Sequence, residues 1–336
     1  MGEHVLICGT NWLGDTIMSM PAVSLFRRRN PGLRITVLVR SPLAALWRMH
    51  ASVDDVMEVE QGLGGTLRAA KGIRAADFSR AFVFPNSFRS TLIPSLAGVN
   101  ERVGVRGQLR TWMLTSILEP PVSDSDREHQ AWEYVHILGM DDYDGAIAAP
   151  TLETGESLIE SCRQKIEWNK GDTWVAVIPG AARGPSKMWP ADCFAKVAAD
   201  TISSHAARIM VLGTPDEAVL CRKVASEIGD SAINLAGATS LSEVVALSGM
   251  CRAVVTNDSG GMHVATAGGA RVVAVFGLTD PAKTGPLGSG HKVLSAAGVD
   301  QSRDIPRDSV KARECLRSIV PDRVSVEVRK ILEEER

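Results

Sequence analysis

The sequence predicts an α/β protein built from two Rossmann-like domains in tandem. Three observations carry this. A chain of 336 residues exceeds one ordinary core and fits two of about 150 residues each. Apolar runs of strand length alternate with helix-length amphipathic stretches, and this rhythm runs through the chain twice. Near residue 257 a strand, a turn, a short helix and a second strand follow within about 25 residues, a compact βαβ unit.

The first half opens on the apolar run His4-Val5-Leu6-Ile7-Cys8, which ends in Gly9-Thr10-Asn11. A helix follows, carrying Leu13, Ile17 and Met20, then Val23, Leu25 and Phe26 past Pro21. Strand 34–39, a helix around 43–49, strand 55–59, a helix around 65–75 and strand 80–84 continue the pattern. Pro85-Asn86-Ser87-Phe88-Arg89-Ser90 follows that last strand, and a further helix includes 92–96. Residues 102–105 form a short strand, 119–130 a polar loop, and 129–138 a helix with Trp132, Val135 and Leu138 on one face. Such alternation predicts a parallel sheet covered by helices on both faces.

The polar stretch 141–155, with its Ala, Pro and Gly, places the domain boundary near 150. A helix over 157–168 opens the second half. Strand 174–178, loop 179–190, helix 191–203, strand 208–213, helix 216–228, strand 232–234 and helix 241–248 follow. The tail 322–336 is a charged amphipathic helix with Val324, Val328 and Leu332 on one face. The two halves share a pattern of elements and no detectable sequence repeat.

The central stretch is Asn257-Asp258-Ser259-Gly260-Gly261-Met262-His263, between strand 252–256 and a helix over 264–269. Free N–H groups and the positive end of the helix dipole meet at such a turn. It is a ready anion site, with phosphate its commonest guest. Asp and Ser are also the favoured caps of any helix, so an ordinary capped start reads the same way.

Three side chains elsewhere carry chemistry by position. Asp15 follows Gly14 at a strand-to-helix join, where a carboxylate acts as a general base if a hydroxyl reaches it. It is equally placed as a carboxylate that stabilises a helix dipole. Lys187 ends the loop Gly180-Ala181-Ala182-Arg183-Gly184-Pro185-Ser186-Lys187-Met188-Trp189-Pro190. A cation on a small-residue loop ahead of a helix suits a phosphate clamp, or lies in a solvated surface loop. Glu217 follows a strand, as an acid holding a ribose hydroxyl does and as a helix-start acid also does.

Other classes are disfavoured. A net charge of −2 gives no electrostatic grip on nucleic acid. No G-x-G-x-x-G follows a strand, so a dinucleotide cofactor is not expected, and Lys187 lacks the spacing of a P-loop. The six cysteines (8, 162, 193, 221, 251 and 315) include no C-x-x-C, so neither zinc nor a disulfide framework is indicated. The acids of 124–126 and 142–144 read as solvated, and His129 and His263 lack companion ligands. With no apolar run of transmembrane length and no signal-peptide pattern, a cytoplasmic location is expected.

Four segments together resemble the ADP-heptose:lipopolysaccharide heptosyltransferases, glycosyltransferase family 9, most closely their heptosyltransferase II branch. They are Asn11-Trp12-Leu13-Gly14-Asp15 with Pro21, residues 85–90, residues 184–190, and Thr256 to His263 with Phe276-Gly277-Leu278-Thr279-Asp280-Pro281. The resemblance covers nearly the whole chain. It implies a GT-B fold: domain 1–150 for the acceptor, domain 151–318 for the nucleotide sugar, a cleft between them, and a final helix at 319–336 returning to the first domain. It implies inverting, metal-independent transfer of heptose from ADP-L-glycero-D-manno-heptose to the lipid A–Kdo inner core, with no cofactor. Asp15 matches the family's base and Lys187 its phosphate-binding lysine. Asp258, Ser259, Gly260 and Gly261 match the diphosphate loop, with Ser186, Glu217, Met262 and His263 as further donor-site candidates. Asn86, Arg89, Arg102, Arg106 and Arg110 are the acceptor-site candidates, chosen by charge and domain. The implied location is the inner face of the inner membrane, peripherally attached, as a monomer. One departure concerns cysteines. The branch usually carries several ahead of the last helix, whereas this chain has Cys315 alone there. The competing readings are another core position or donor sugar, or a nucleotide-sugar-binding protein or epimerase of similar fold.

Overall fold

A computed structural model describes residues 3–107, 109–121, 127–296 and 305–334. The chain forms two compact units, Met1–Glu153 and Thr154–Arg336.

In the first unit the elements run β1 (His4–Cys8), α1 (Leu13–Arg29), β2 (Arg34–Arg40), α2 (Ser41–Arg48), β3 (Asp55–Val59), α3 (Gly62–Ala76), β4 (Arg80–Val83), α4 (Phe88–Ala97), β5 (Glu101–Val105), β6 (Ser116–Leu118) and α5 (Ala131–Ile137). The sheet order is β3-β2-β1-β4-β5-β6, and every pairing is parallel. Leu6, Cys8, Ala81 and Val83 pack on Ala69, Ala70 and Ile73 of α3 and Ile93 and Ala97 of α4. The alternate residues Val5, Ile7 and Phe82 are equally buried, since successive side chains of a strand point to opposite faces.

In the second unit the order is α6 (Glu156–Lys165), β7 (Trp174–Ile178), α7 (Ala191–His205), β8 (Arg208–Val211), α8 (Ala218–Ile228), β9 (Ala232–Asn234), α9 (Leu241–Met250), β10 (Ala253–Asn257), α10 (Gly260–Ala267), β11 (Val272–Phe276), α11 (Pro281–Thr284), β12 (Lys292–Ser295), α12 (Val310–Arg317) and α13 (Pro321–Glu333). Its sheet, β12-β11-β10-β7-β8-β9, is again wholly parallel. Counted from its own first strand, this is the order of the first sheet read from the opposite edge. Val175 and Val177 of β7 enter a core with α7, α8 and α13. Trp174, Ala176 and Ile178 enter another on the opposite face. The unbroken apolar strands follow from this two-sided burial.

Both sheets reverse their direction of winding between the first and fourth strands, at β1/β4 and at β7/β10. Open α/β sheets bind ligands outside the carboxyl ends of their strands at such points. Gly9 to Asp15 follows β1 and residues 84–90 follow β4. Pro179 to Lys187 follows β7 and Asp258 to Gly261 follows β10. All four motif segments thus sit at switch points.

The structure amends the expected elements. The helix expected over 264–269 begins at Gly260, so half of the expected turn is its first helical turn. The edge strands β6 and β12 and the helix α12 were not foreseen. The apolar face of the final helix, Val324, Val328 and Ile331, joins the core of the second unit against α7 and covers β10 and β11. Among the described residues, no helix is long and apolar enough to cross a membrane.

Candidate functional site

The site of the second unit is built around the end of β10. Asn257 is fully buried. Its Oδ1 accepts from the Trp189 backbone N–H at 2.9 Å, and its Nδ2 donates to the Pro179 carbonyl at 2.7 Å. One side chain therefore ties the ends of β7 and β10 to the loop that carries Lys187. Trp189 is buried against Phe194, and its indole N–H donates to the Ile319 carbonyl at 3.0 Å. Ser186 clasps the loop from the other side. Its Oγ donates to the Pro306 and Arg307 carbonyls and accepts from the Ser309 N–H at 2.8 Å. Ser186 was expected to contact the donor, yet its hydroxyl is committed to these backbone groups and so shapes the loop.

This scaffold presents Lys187 to Asp258. Nζ and Oδ2 are 2.5 Å apart, and the side chains are only 15% and 7% exposed. Thr279 Oγ1 donates to the same carboxylate oxygen at 2.6 Å. A charge pair this far out of water needs such added hydrogen bonds. Next in the chain, Ser259 stands at the N-cap of α10 without making a cap bond. Its buried Oγ has no hydrogen-bond partner among the described residues. The first N–H groups of α10 likewise lack intrahelical acceptors, so this end combines a cation, an orphan hydroxyl and a helix dipole. Gly261 permits the arrangement, because a Cβ there would stand 2.7 Å from Ile178 Cγ2 at the end of β7.

Glu217 lies beyond the end of β8, half-buried. Its Oε2 accepts from the Thr214 N–H at 2.8 Å in a capping box. A Cβ on Gly180 would lie 2.0 Å from Glu217 Oε1, so the carboxylate rests directly on the β7 loop. The acid expected for a ribose thus does stand beside the Lys187 loop. Met262 does not line the site: it is fully buried in the core beneath α10. His263 is also buried, and its carbonyl accepts from Thr266 Oγ1.

In the first unit, Asp15 is the third residue of α1 and half-buried. Gln130 Nε2 donates to its Oδ1 at 3.2 Å. Nearby strand ends enclose a cleft of about 420 Å³ lined by Asn11, Trp12, Arg40, Glu60, Ser87 and Arg89, among others. Arg89 is exposed and donates to the Glu60 carbonyl at 2.9 Å, which holds it over this cleft.

The remaining acceptor-site candidates have partners elsewhere in the first unit. Arg102 lies on β5, and Arg106 and Arg110 lie in the segment after it. Arg102 donates to the Met113 carbonyl at 2.6 Å and to the Val99 carbonyl. Arg110 is completely buried and donates to the carbonyls of Pro85 and Val105. Arg106 is exposed but paired with Glu119 at 2.7 Å. Asn86 packs over Gly107, where a Cβ would stand 1.9 Å from Asn86 Oδ1. Arg89 alone of these five lines the cleft.

Asp142 is paired with Arg29 at 2.6 Å, and the acids at 124–126 lie outside the described residues. Among the described residues, no group of three or more His, Cys, Asp or Glu side chains is arranged to hold a metal ion. Sequence reasoning missed Gln130, which no motif marks. It also gave no role to Thr279, whose position in Leu278-Thr279-Asp280 just after β11 was the available signal.

Two parallel Rossmann-like units, with a cation and a helix start meeting at the switch point of the second, have the architecture of the GT-B class. The model of glycosyltransferase family 9 (heptosyltransferase) matches residues 66–311, and the chain belongs to that family. It is 28% identical to lipopolysaccharide heptosyltransferase 2 of Salmonella typhimurium, covering 98% of this chain and 99% of the relative. It is 30% identical to lipooligosaccharide heptosyltransferase 2 of Haemophilus influenzae, covering 84% and 86%. The solved structure of the Escherichia coli ADP-heptose lipopolysaccharide heptosyltransferase II superposes with a TM-score of 0.84 at 27% identity, covering 98% of each chain.

Proposed function

We propose that this enzyme transfers a heptose from ADP-L-glycero-D-manno-heptose to the inner core of lipopolysaccharide, with inversion and without a required metal. The observation that carries the reading is likeness along nearly the whole chain to enzymes named for that transfer. The first unit takes the acceptor and the second the nucleotide sugar.

In this reading Asp15 removes the proton of an acceptor heptose hydroxyl. The freed oxygen bonds to the anomeric carbon from the face opposite the leaving group, and the bond from that carbon to the β-phosphate oxygen breaks. Negative charge collects on departing ADP. Lys187, the Ser259 hydroxyl and the N–H groups at the start of α10 stabilise it. Glu217 holds the ribose. Such donors supply the charge stabilisation that a metal gives elsewhere. Because the acceptor is anchored in a membrane and the donor is a water-soluble nucleotide, we place the protein at the cytoplasmic face of the inner membrane, peripherally attached and monomeric.

One assay tests the reading: ADP release from ADP-heptose with a panel of truncated core acceptors. Release with a heptose-bearing inner-core acceptor is expected. Asp15→Asn should reduce turnover by about a hundred- to ten-thousand-fold while ADP binding persists. No release with any acceptor would instead favour a binding protein or an epimerase.

A further inference from the structure

We propose that Gln130 is a positioning residue for Asp15, anchored by Tyr134. The proposal rests on the reading of Asp15 as the base. Gln130 immediately precedes α5, and α5 packs on α1. That contact brings an amide to Asp15 from 115 positions away in the chain. Gln130 Nε2 donates to Asp15 Oδ1 at 3.2 Å and to Tyr134 Oη at 3.1 Å. A primary amide has two N–H donors, and here each has an acceptor. Tyr134 is only 2% exposed. Its ring packs 5.1 Å from that of Phe84, which directly follows β4. A buried ring at one switch-point strand thus fixes a phenol, the phenol fixes an amide, and the amide fixes the carboxylate.

The chemistry favours this orientation of the amide. Turned the other way, its carbonyl oxygen would face a carboxylate that only accepts when ionised. An amide N–H also has no proton to give up near neutral pH. Gln130 therefore holds one carboxylate oxygen in place. Restricting a base to its reactive orientation raises the chemical step rather than ground-state binding. The titratable neighbours His129 and Glu133 stay unchanged in the variants that test this.

The experiment compares Gln130→Leu, Gln130→Glu and Asp15→Asn in the full chain, by steady-state transfer from ADP-heptose to an inner-core acceptor across pH. Gln130→Leu should lower kcat about tenfold, with the donor KM and the melting temperature unchanged. Gln130→Glu keeps the shape but sets a second carboxylate against Asp15. Like charge disfavours ionisation, so the acidic limb of the kcat profile should move to higher pH. A packing role would treat Glu as conservative and leave that limb in place. Wild-type kcat in Gln130→Leu, or a wild-type pH profile in Gln130→Glu, overturns the positioning role while Asp15→Asn remains inactive. Near wild-type turnover in Asp15→Asn instead removes the base itself, and the positioning role with it.

Discussion

Lys187 Nζ and Asp258 Oδ2 form a buried ion pair at the end of β10, with Thr279 as a third member. The lysine comes from the β7 loop and the aspartate from the start of the βαβ turn, so the pair joins the two strands of the switch point. Lys187→Ala removes the cation and leaves a buried carboxylate with one hydroxyl partner. Losing one member of a buried pair costs roughly 3–5 kcal/mol when the site stays dry; the partial exposure of Lys187 lowers that to about 2 kcal/mol. Two readouts should therefore fall together: the urea midpoint, and ADP affinity by calorimetry. Unchanged ADP affinity in a folded Lys187→Ala protein removes Lys187 from the donor site.

Gly180 and Glu217 give a sharper test of the ribose assignment. A methyl group on Gly180 would overlap the Glu217 carboxylate, so Gly180→Ala must displace it. The expected result is weaker ADP binding, by about ten- to a hundredfold, close to that of Glu217→Ala, because losing a hydrogen bond to a charged group costs roughly 1.5–3 kcal/mol. The double variant should bind no more weakly than Glu217→Ala alone, since both changes remove one contact. Additive losses would place Gly180 in a different role.

The strands were legible because burial on both faces makes each one a continuous apolar run, as in Trp174-Val175-Ala176-Val177-Ile178. The edge strands Ser116–Leu118 and Lys292–Ser295 were not. They are three and four residues long, with partly exposed side chains and too little apolar signal. The start of α10 was misplaced because glycine lowers helix propensity, whereas Gly261 is there for its approach to Ile178. Asp15, Lys187 and Asp258 were singled out because they follow strand ends, a local property. The surroundings of Arg102 and Arg110 were not legible, because their partners are backbone carbonyls elsewhere in the chain, such as Pro85 for Arg110. Nothing in the residue type reports such a partner.

That contrast predicts how three arginines differ. Arg89 lines the cleft of the first unit, Arg106 holds an exposed ion pair, and Arg110 is buried. Arg89→Ala should raise KM for a phosphorylated core acceptor several-fold and leave the donor KM unchanged. Arg106→Ala should change stability by less than about 1 kcal/mol, as exposed pairs do. Arg110→Ala should lower stability by about 2–4 kcal/mol by removing a fully buried side chain and the donor to the buried Val105 carbonyl and the part-buried Pro85 carbonyl. Equal acceptor KM values for Arg89→Ala and wild type would exclude Arg89 from the acceptor site.

Acid should weaken the fold through His50. Burial pushes its pKa down to about 4, against a smaller opposing contact from the Met20 backbone. The ring packs on Trp47, and its Nε2 meets Ser24 Oγ at 3.1 Å. A histidine lowered in the folded state is held neutral there, while the unfolded chain takes up a proton near the ordinary value of 6.5. Stability is therefore complete above that value and falls as pH drops toward 4. The proton linkage amounts to about 2 kcal/mol between ~pH 7.5 and ~pH 5. Urea unfolding of wild type and His50→Gln at both values measures it. His50→Gln has no proton to take up at this position, so its acid-side loss should be smaller than that of wild type by about this amount. Equal losses in the two proteins would show that His50 already carries its proton in the folded state, or is open to water there.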